Sequence, residues 1–334
     1  MSSIDEIALS VLENAPAPDE ASGSALRDRA ANVLRPAGAL ARLDEVCAWL
    51  GSWQRTKTPA VEKPAVVVFV ADHGVTTEGV SAYPAEVTVA MLRALNEGVA
   101  TAAAMSRSVG AELHVVDVGV GDPTGNIAVE PAMSAARFRV CFDAGRDAVA
   151  NVDADLVIFG EMGIGNTTPA AAVAATLFGG PAEEWTGRGT GVDDETWARK
   201  VRAVEAARAR IAPDASPMEI LREAGGAELA AIAGAMVEAR ARSIPVLLDG
   251  FVVTAAVAPL AVLHAGALDN CLAGHRSPEP GHAMLLDKLG LEPLLDLRMR
   301  LGEASGALAA LPLVRLAATV VVDVATFEEW GLTR

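Results

Sequence analysis

Four short runs rich in apolar residues, each about the length of a β-strand, recur along the chain with helical patterns between them. This alternation limits the possible folds more than any other feature. The runs are 65–71, 113–118, 155–159 and 245–249, and the stretches 86–108, 169–178, 193–211 and 228–241 carry apolar side chains at helical spacing. Strands that are apolar almost throughout need cover on both faces, and the intervening helices supply it, so the expected class is α/β with a parallel sheet. Residues 1–60 also show helical spacing, with Trp49 and Trp53 one turn apart, and lead through a polar stretch, 54–64, into the first run. Residues 285–301 and 304–318 read as helices and are followed by a Val-rich run. Neither end is large enough to form a core alone. The expected organisation is a small helical domain from 1–60 and 285–334 beside a large α/β domain, 61–284.

Composition narrows the function classes. The formal charge of −16 argues against a nucleic-acid or anionic-membrane surface, both of which need basic clusters. Cys47, Cys141 and Cys271 are scattered and form no CxxC pair, which fits a reducing cytoplasm rather than a disulfide framework or a zinc site. The acidic start Met1 to Glu6 reads as no signal peptide. The apolar stretch 252–268 is interrupted by Pro259 and His264 and reads as a buried helix rather than a membrane span.

Each apolar run ends in an acid beside a glycine: Asp72, Asp117, Glu161 and Asp249. Ligands of open parallel sheets bind outside the carboxyl ends of the strands, so these acids are expected to converge on one crevice. Acids and glycines also simply begin turns. The segment 160–172, Gly-Glu-Met-Gly-Ile-Gly-Asn-Thr-Thr-Pro-Ala-Ala-Ala, follows a strand and opens a helix that Thr167 or Thr168 can cap. Gly163 and Gly165 let backbone N–H groups approach a ligand, and the helix start favours an anion. The segment lacks the Lys of a Walker loop and the spacing of GxGxxG. It reads as a phosphate or carboxylate site, or as a tight strand-to-helix turn. A second cluster, Thr186-Gly-Arg-Gly-Thr-Gly191, precedes the helix bearing Lys200 and suggests a phosphate nest with Lys200 as its cation, although Lys200 taken by itself reads rather as a solvated surface lysine. Glu303 falls where the last helix is expected to begin, so that helix's dipole would keep its carboxylate ionised. The five histidines form no metal-ligand pair; His73, His275 and His282 read as core or turn residues as readily as catalytic ones.

Together these segments resemble the nicotinate-nucleotide–dimethylbenzimidazole phosphoribosyltransferase family. The matching stretches are 71–84, 160–169, 187–191, 249–254, 274–281 and 300–306, in fixed order along nearly the whole chain. The resemblance implies a Rossmann-like large domain, a small helical domain built from both termini, and a cytoplasmic homodimer. It also implies phosphoribosyl transfer from nicotinate mononucleotide to a benzimidazole-type base, with no metal and no cofactor. By that resemblance Glu303 is the general base. The nucleotide site is expected at Glu161, Gly163, Gly165, Asn166, Thr167, Gly189, Thr190, Gly191, Lys200, Asp249 and Ser277. The base is expected near Asp72, Ser81, Tyr83, Met162 and Leu301. The chain departs from the family pattern at Ala85, where Gln is common, and at Ala227, where Gly-Gly-Phe-Glu is common. An oxocarbenium-like transition state is expected to benefit from negative strand-end acids.

Two rivals follow from the same residues. One is a transferase using phosphoribosyl pyrophosphate, for which 320–326 mimics the apolar strand ending in an acid, although it has one acid and no glycine loop. The other is a non-catalytic nucleotide-binding protein, in which Glu303 and Lys200 would be expendable.

Overall fold

The computed structural model describes residues 3–333, so Met1 and Ser2 of the acidic start lie outside the described residues. The apolar runs become β1 (Pro64–Ala71), β2 (Glu112–Gly119), β3 (Leu156–Met162) and β4 (Val246–Leu248), joined by β5 (Cys271–His275) and β6 (Pro293–Leu295). They form one six-stranded sheet in the order β2-β1-β3-β4-β5-β6, and every neighbouring pair is parallel. All eight residues of β1 are buried, as a strand covered on both faces requires.

Alternation along the strands divides the interior into two layers. Val67, Phe69 and Ala71 point into one core with Val157 and Phe159, under the helices Ala135–Ala150, Thr167–Phe178, Ala227–Ala241 and Phe251–Leu263. Val66, Val68 and Val70 point into the other with Ile158 and Leu247, under Glu20–Asn32, Arg42–Gln54, Thr101–Val109 and Ser305–Val322. The termini meet in this second layer: Arg29 donates to the Val321 carbonyl at 2.8 Å, and the Leu34 N–H donates to the Ala325 carbonyl at 2.9 Å. Ile4–Glu13 instead packs Ala8 and Leu12 into the first core.

Several local expectations are corrected. The pattern over 86–108 is two helices, Val87–Asn96 and Thr101–Val109, with Gly98 between them at φ +73°. Residues 285–301 are not one helix: Pro280–Leu289 stops at Gly290, in the left-handed region, and the chain turns into β6. Residues 320–326 are no strand, because the last helix runs on to Val322 and buries Val321, so packing overrides the β preference of valine. That helix, Ser305–Val322, is the one helix among the described residues long and apolar enough to cross a membrane, and more than half of it, 56%, is buried as core.

Candidate active site

The strand order reverses between β1 and β3, the switch point at which open α/β sheets place their ligands. A cleft of about 120 Å³ opens beside it, floored by the carboxyl ends of β3 and β5 and the residues that follow β4. Glu161, Met162, Gly163, Gly165, Asn166 and Thr167 line it from the β3 loop and the start of Thr167–Phe178. Gly189, Thr190 and Lys200 line it from the second glycine cluster and the helix after it. Ser81, Ser277 and Leu301 complete the expected residues on its wall.

Five expected residues lie elsewhere. Asp72 is buried, its carboxylate accepting the Gly121 N–H at 2.8 Å. Tyr83 is 52% exposed and outside the lining. Asp249 lies behind the wall and caps the last helix, accepting from the Gly306 and Ala307 N–H groups at 2.7 and 3.0 Å. Gly191 sits at the far end of its loop at φ +111°, also outside the lining. Glu303 is 2% exposed and lies next to Leu301 and Gly302, which do line the cleft. Asp117, the remaining strand-end acid, is a turn residue, accepting from the Gly119 and Val120 N–H groups at 3.0 and 2.9 Å. Ala85 and the fully buried Ala227 are not among the lining residues.

Lys200 is no surface lysine. It is 1% exposed, and its ammonium donates to Thr167 Oγ1 at 2.9 Å and to the Gly187 carbonyl at 2.8 Å. Thr167 therefore serves the lysine rather than capping its own helix. The N-cap is Asn166, without a side-chain cap bond; its amide N–H donates instead to the Glu161 carboxylate. Burial lowers the Lys200 pKa to about 8, with Glu279 opposing the shift. A cation on that threshold makes anion binding pH-dependent: affinity for a phosphate-bearing ligand is expected to fall as pH rises through about 8. Calorimetric titration across that range should show the fall in the wild type and a smaller one in Lys200→Ala. An equal fall in both would assign it to Glu161, which gains negative charge over the same interval.

The acids behave differently from the expectation of an ionised set. Burial pushes Glu161 up to about 8, against the bond from Asn166, and Asp249 up to about 7, against its backbone bonds. At neutral pH Glu161 is a proton carrier rather than a standing negative charge. Glu303 is also not at the start of the last helix, which begins at Ser305. Its carboxylate reaches the start of Thr101–Val109, accepting the Ala102 N–H at 3.2 Å, and burial raises its pKa while that bond lowers it. Its backbone is held at φ +55° and that of Ala304 at φ +63°, while the Glu303 N–H donates to the Glu161 carbonyl at 3.0 Å. Two consecutive non-glycine residues in the left-handed region cost roughly 1–3 kcal/mol each, a strain that marks functional positions.

Four charged or titratable cleft residues were not singled out from the sequence as site residues. Arg188 and Arg300 bring positive charge, and Glu279 accepts the Gly189 N–H at 2.8 Å, a donor otherwise offered to a phosphate. The signal for Arg188 was its place inside the glycine cluster. His275, at the end of β5, lines the cleft with its pKa lowered to about 4 by burial. His282 accounts for Ser277: its Nδ1 lies 3.0 Å from the Ser277 N–H and 2.9 Å from Oγ.

A buried cation beside a helix start, in one cleft with a protonatable carboxylate, suits an anionic ligand with a reacting centre near the acids. A family model described as phosphoribosyltransferase matches residues 15–332. The chain is similar to the nicotinate-nucleotide–dimethylbenzimidazole phosphoribosyltransferase of Mesorhizobium japonicum, 49% identical over 99% of this chain and 98% of that protein. The protein of the same name from Methylorubrum extorquens is 46% identical over 96% of this chain and 94% of its own length. The crystal structure of CobT from Thermus thermophilus superposes with a TM-score of 0.90 at 43% identity, covering 94% of this chain and 99% of that one. By sequence along almost its whole length and by fold, the chain belongs to the nicotinate-nucleotide–dimethylbenzimidazole phosphoribosyltransferase family.

Proposed function

We propose that the chain transfers the 5-phosphoribosyl group of nicotinate mononucleotide to 5,6-dimethylbenzimidazole or a related base, giving α-ribazole 5′-phosphate and nicotinate. The observation that carries this reading is the buried Lys200 ammonium, set against the start of Thr167–Phe178 in the cleft that Glu161 also lines. A ring nitrogen of the base bonds to the anomeric carbon as the glycosidic bond to nicotinate breaks. The bonding pair returns to the pyridine nitrogen, which was cationic and leaves neutral. The N–H on the other ring nitrogen of the base then becomes acidic, and Glu303 takes its proton. Lys200 and the β3 loop hold the phosphate, and Ser81, Met162 and Leu301 surround the base. Mass spectrometry of the products from nicotinate mononucleotide plus benzimidazole tests the reading. A mass for the ribazole phosphate, with free nicotinate, supports it; unchanged nucleotide with the purified protein overturns it.

Because the donor carries no pyrophosphate, turnover is expected to survive a strong chelator. Loss of activity restored by magnesium would favour a pyrophosphate-dependent transferase. We also infer a cytoplasmic homodimer as the working form. The free, buried cysteines support the compartment, and the exposed apolar side chain of Leu297 supports the pairing of subunits.

A further inference from the structure

Outside the cleft, two fully buried titratable side chains pair with no part in the chemistry above. His73, just past β1, places Nε2 2.7 Å from Glu228 Oε1, and neither side chain is exposed at all. Glu228 belongs to the first turn of Ala227–Ala241, a helix packed on the sheet, and does not line the cleft. The imidazole lies between two glycines. A Cβ on Gly163 would stand 2.9 Å from His73 Nε2, and a Cβ on Gly226 would collide with His73 Cε1. Gly163 lines the cleft, so one of these two contacts leads directly to the ligand.

The neighbouring backbone rests on the same segment. The His73 carbonyl accepts from Thr76 Oγ1 at 2.8 Å and from the Thr76 N–H at 3.2 Å. The Thr76 methyl lies 3.0 Å from where a Cβ on Gly165 would be, and the Ala71 carbonyl lies 2.8 Å from one on Gly163, so both cleft glycines of the β3 loop sit on residues 71–76, with His73 the movable side chain beneath Gly163. Interiors are close-packed and a loop follows the surface beneath it, so a turn of the imidazole moves Gly163. Among the described residues the ring has one polar partner to stop that turn. His73 Nδ1 and Glu228 Oε2 are both buried and unpartnered, which leaves the Nε2–Oε1 bond as the polar contact that sets the ring's orientation.

We propose that His73, held by Glu228, is a positioning residue that sets the height of the Gly163 loop and so the affinity for the nucleotide. This inference rests on the nucleotide reading of the cleft. Its test uses the purified full chain, with calorimetric binding of nicotinate mononucleotide and steady-state KM values for both substrates. Glu228→Ala strands the buried imidazole and is expected to weaken nucleotide binding and raise its KM about 10-fold or more. The KM for the base and the saturated turnover number should stay at wild-type values. Glu228→Gln, whose amide oxygen still accepts from the ring, should restore nucleotide binding. His73→Asn, which withdraws the ring from beneath Gly163, carries the same expectation as Glu228→Ala and serves if that variant does not fold. In its background Glu228→Ala should add nothing to the loss of nucleotide affinity, because Glu228 acts through the ring. A pair that only supports the fold would lower Tm and leave the nucleotide Kd of the folded variants unchanged, and that result overturns the proposal. A wild-type chain that neither binds nor turns over the nucleotide would overturn the functional reading and this inference with it. An active wild type with unaltered variants overturns the inference alone.

Discussion

Glu303→Gln is expected to lower the turnover number by about 10²–10⁴-fold, the usual cost of losing a general base, while fold and nucleotide affinity survive. The carboxylate is 2% exposed, and burial raises its proton affinity above that of an ordinary glutamate. That direction suits a base, because a carboxylate tuned upward accepts a proton more readily near neutral pH. The Ala102 N–H, at 3.2 Å, favours the ionised form and fixes one oxygen, leaving the other for the base's N–H. The sign for pH follows: turnover should fall as pH drops through the raised Glu303 value, and Glu303→Gln should lack that acid limb. Glutamine keeps the shape and can still accept from Ala102, so the strained turn at Glu303 and Ala304 should persist. An N-methylated benzimidazole, which has no N–H to surrender, should distinguish poorly between wild type and variant. Near wild-type turnover of Glu303→Gln with benzimidazole would move the role to Glu161 or to water.

Lys200→Ala is expected to weaken nucleotide binding by about 10- to 150-fold, the equivalent of one charge-assisted bond of roughly 1.5–3 kcal/mol. An ammonium has three donors. Two are spent on Thr167 and Gly187, which leaves the third for a phosphate oxygen. Burial strengthens that contact and also makes the substitution costly, since Thr167 Oγ1 and the Gly187 carbonyl lose their partner. Lys200→Met keeps most of the stem and separates the two effects: stability should recover relative to Lys200→Ala, and nucleotide affinity should not. Affinity for the base should be little changed in either. An unaltered nucleotide Kd would mean that Lys200 only ties Thr167 to Gly187.

The sheet was legible in the sequence where a strand carries a distinct apolar run bounded by polar or turn residues, whether long and fully buried like β1 or short like β4. β1 announces itself as a continuous apolar run because no position along it can be polar. β5 and β6 did not, since Cys271–His275 ends in a histidine and Pro293–Leu295 is three residues long inside a leucine-rich stretch that also fits a helix. The glycine loops and the order of motifs were sufficient to bring Glu161, Gly163, Gly189, Lys200 and Leu301 to one cleft and to place the chain in its family. Local periodicity and short motifs are properties of neighbouring residues, and the sequence by itself determines them. Burial and electrostatics are sums over residues distant in the chain. Only the tertiary structure decided that Lys200 is buried, that Asp249 caps a helix behind the wall, and that Glu161 holds its proton at neutral pH. It also decided where Glu303 points: its carboxylate meets Ala102, 201 residues earlier, at the start of a helix that its own segment does not contain.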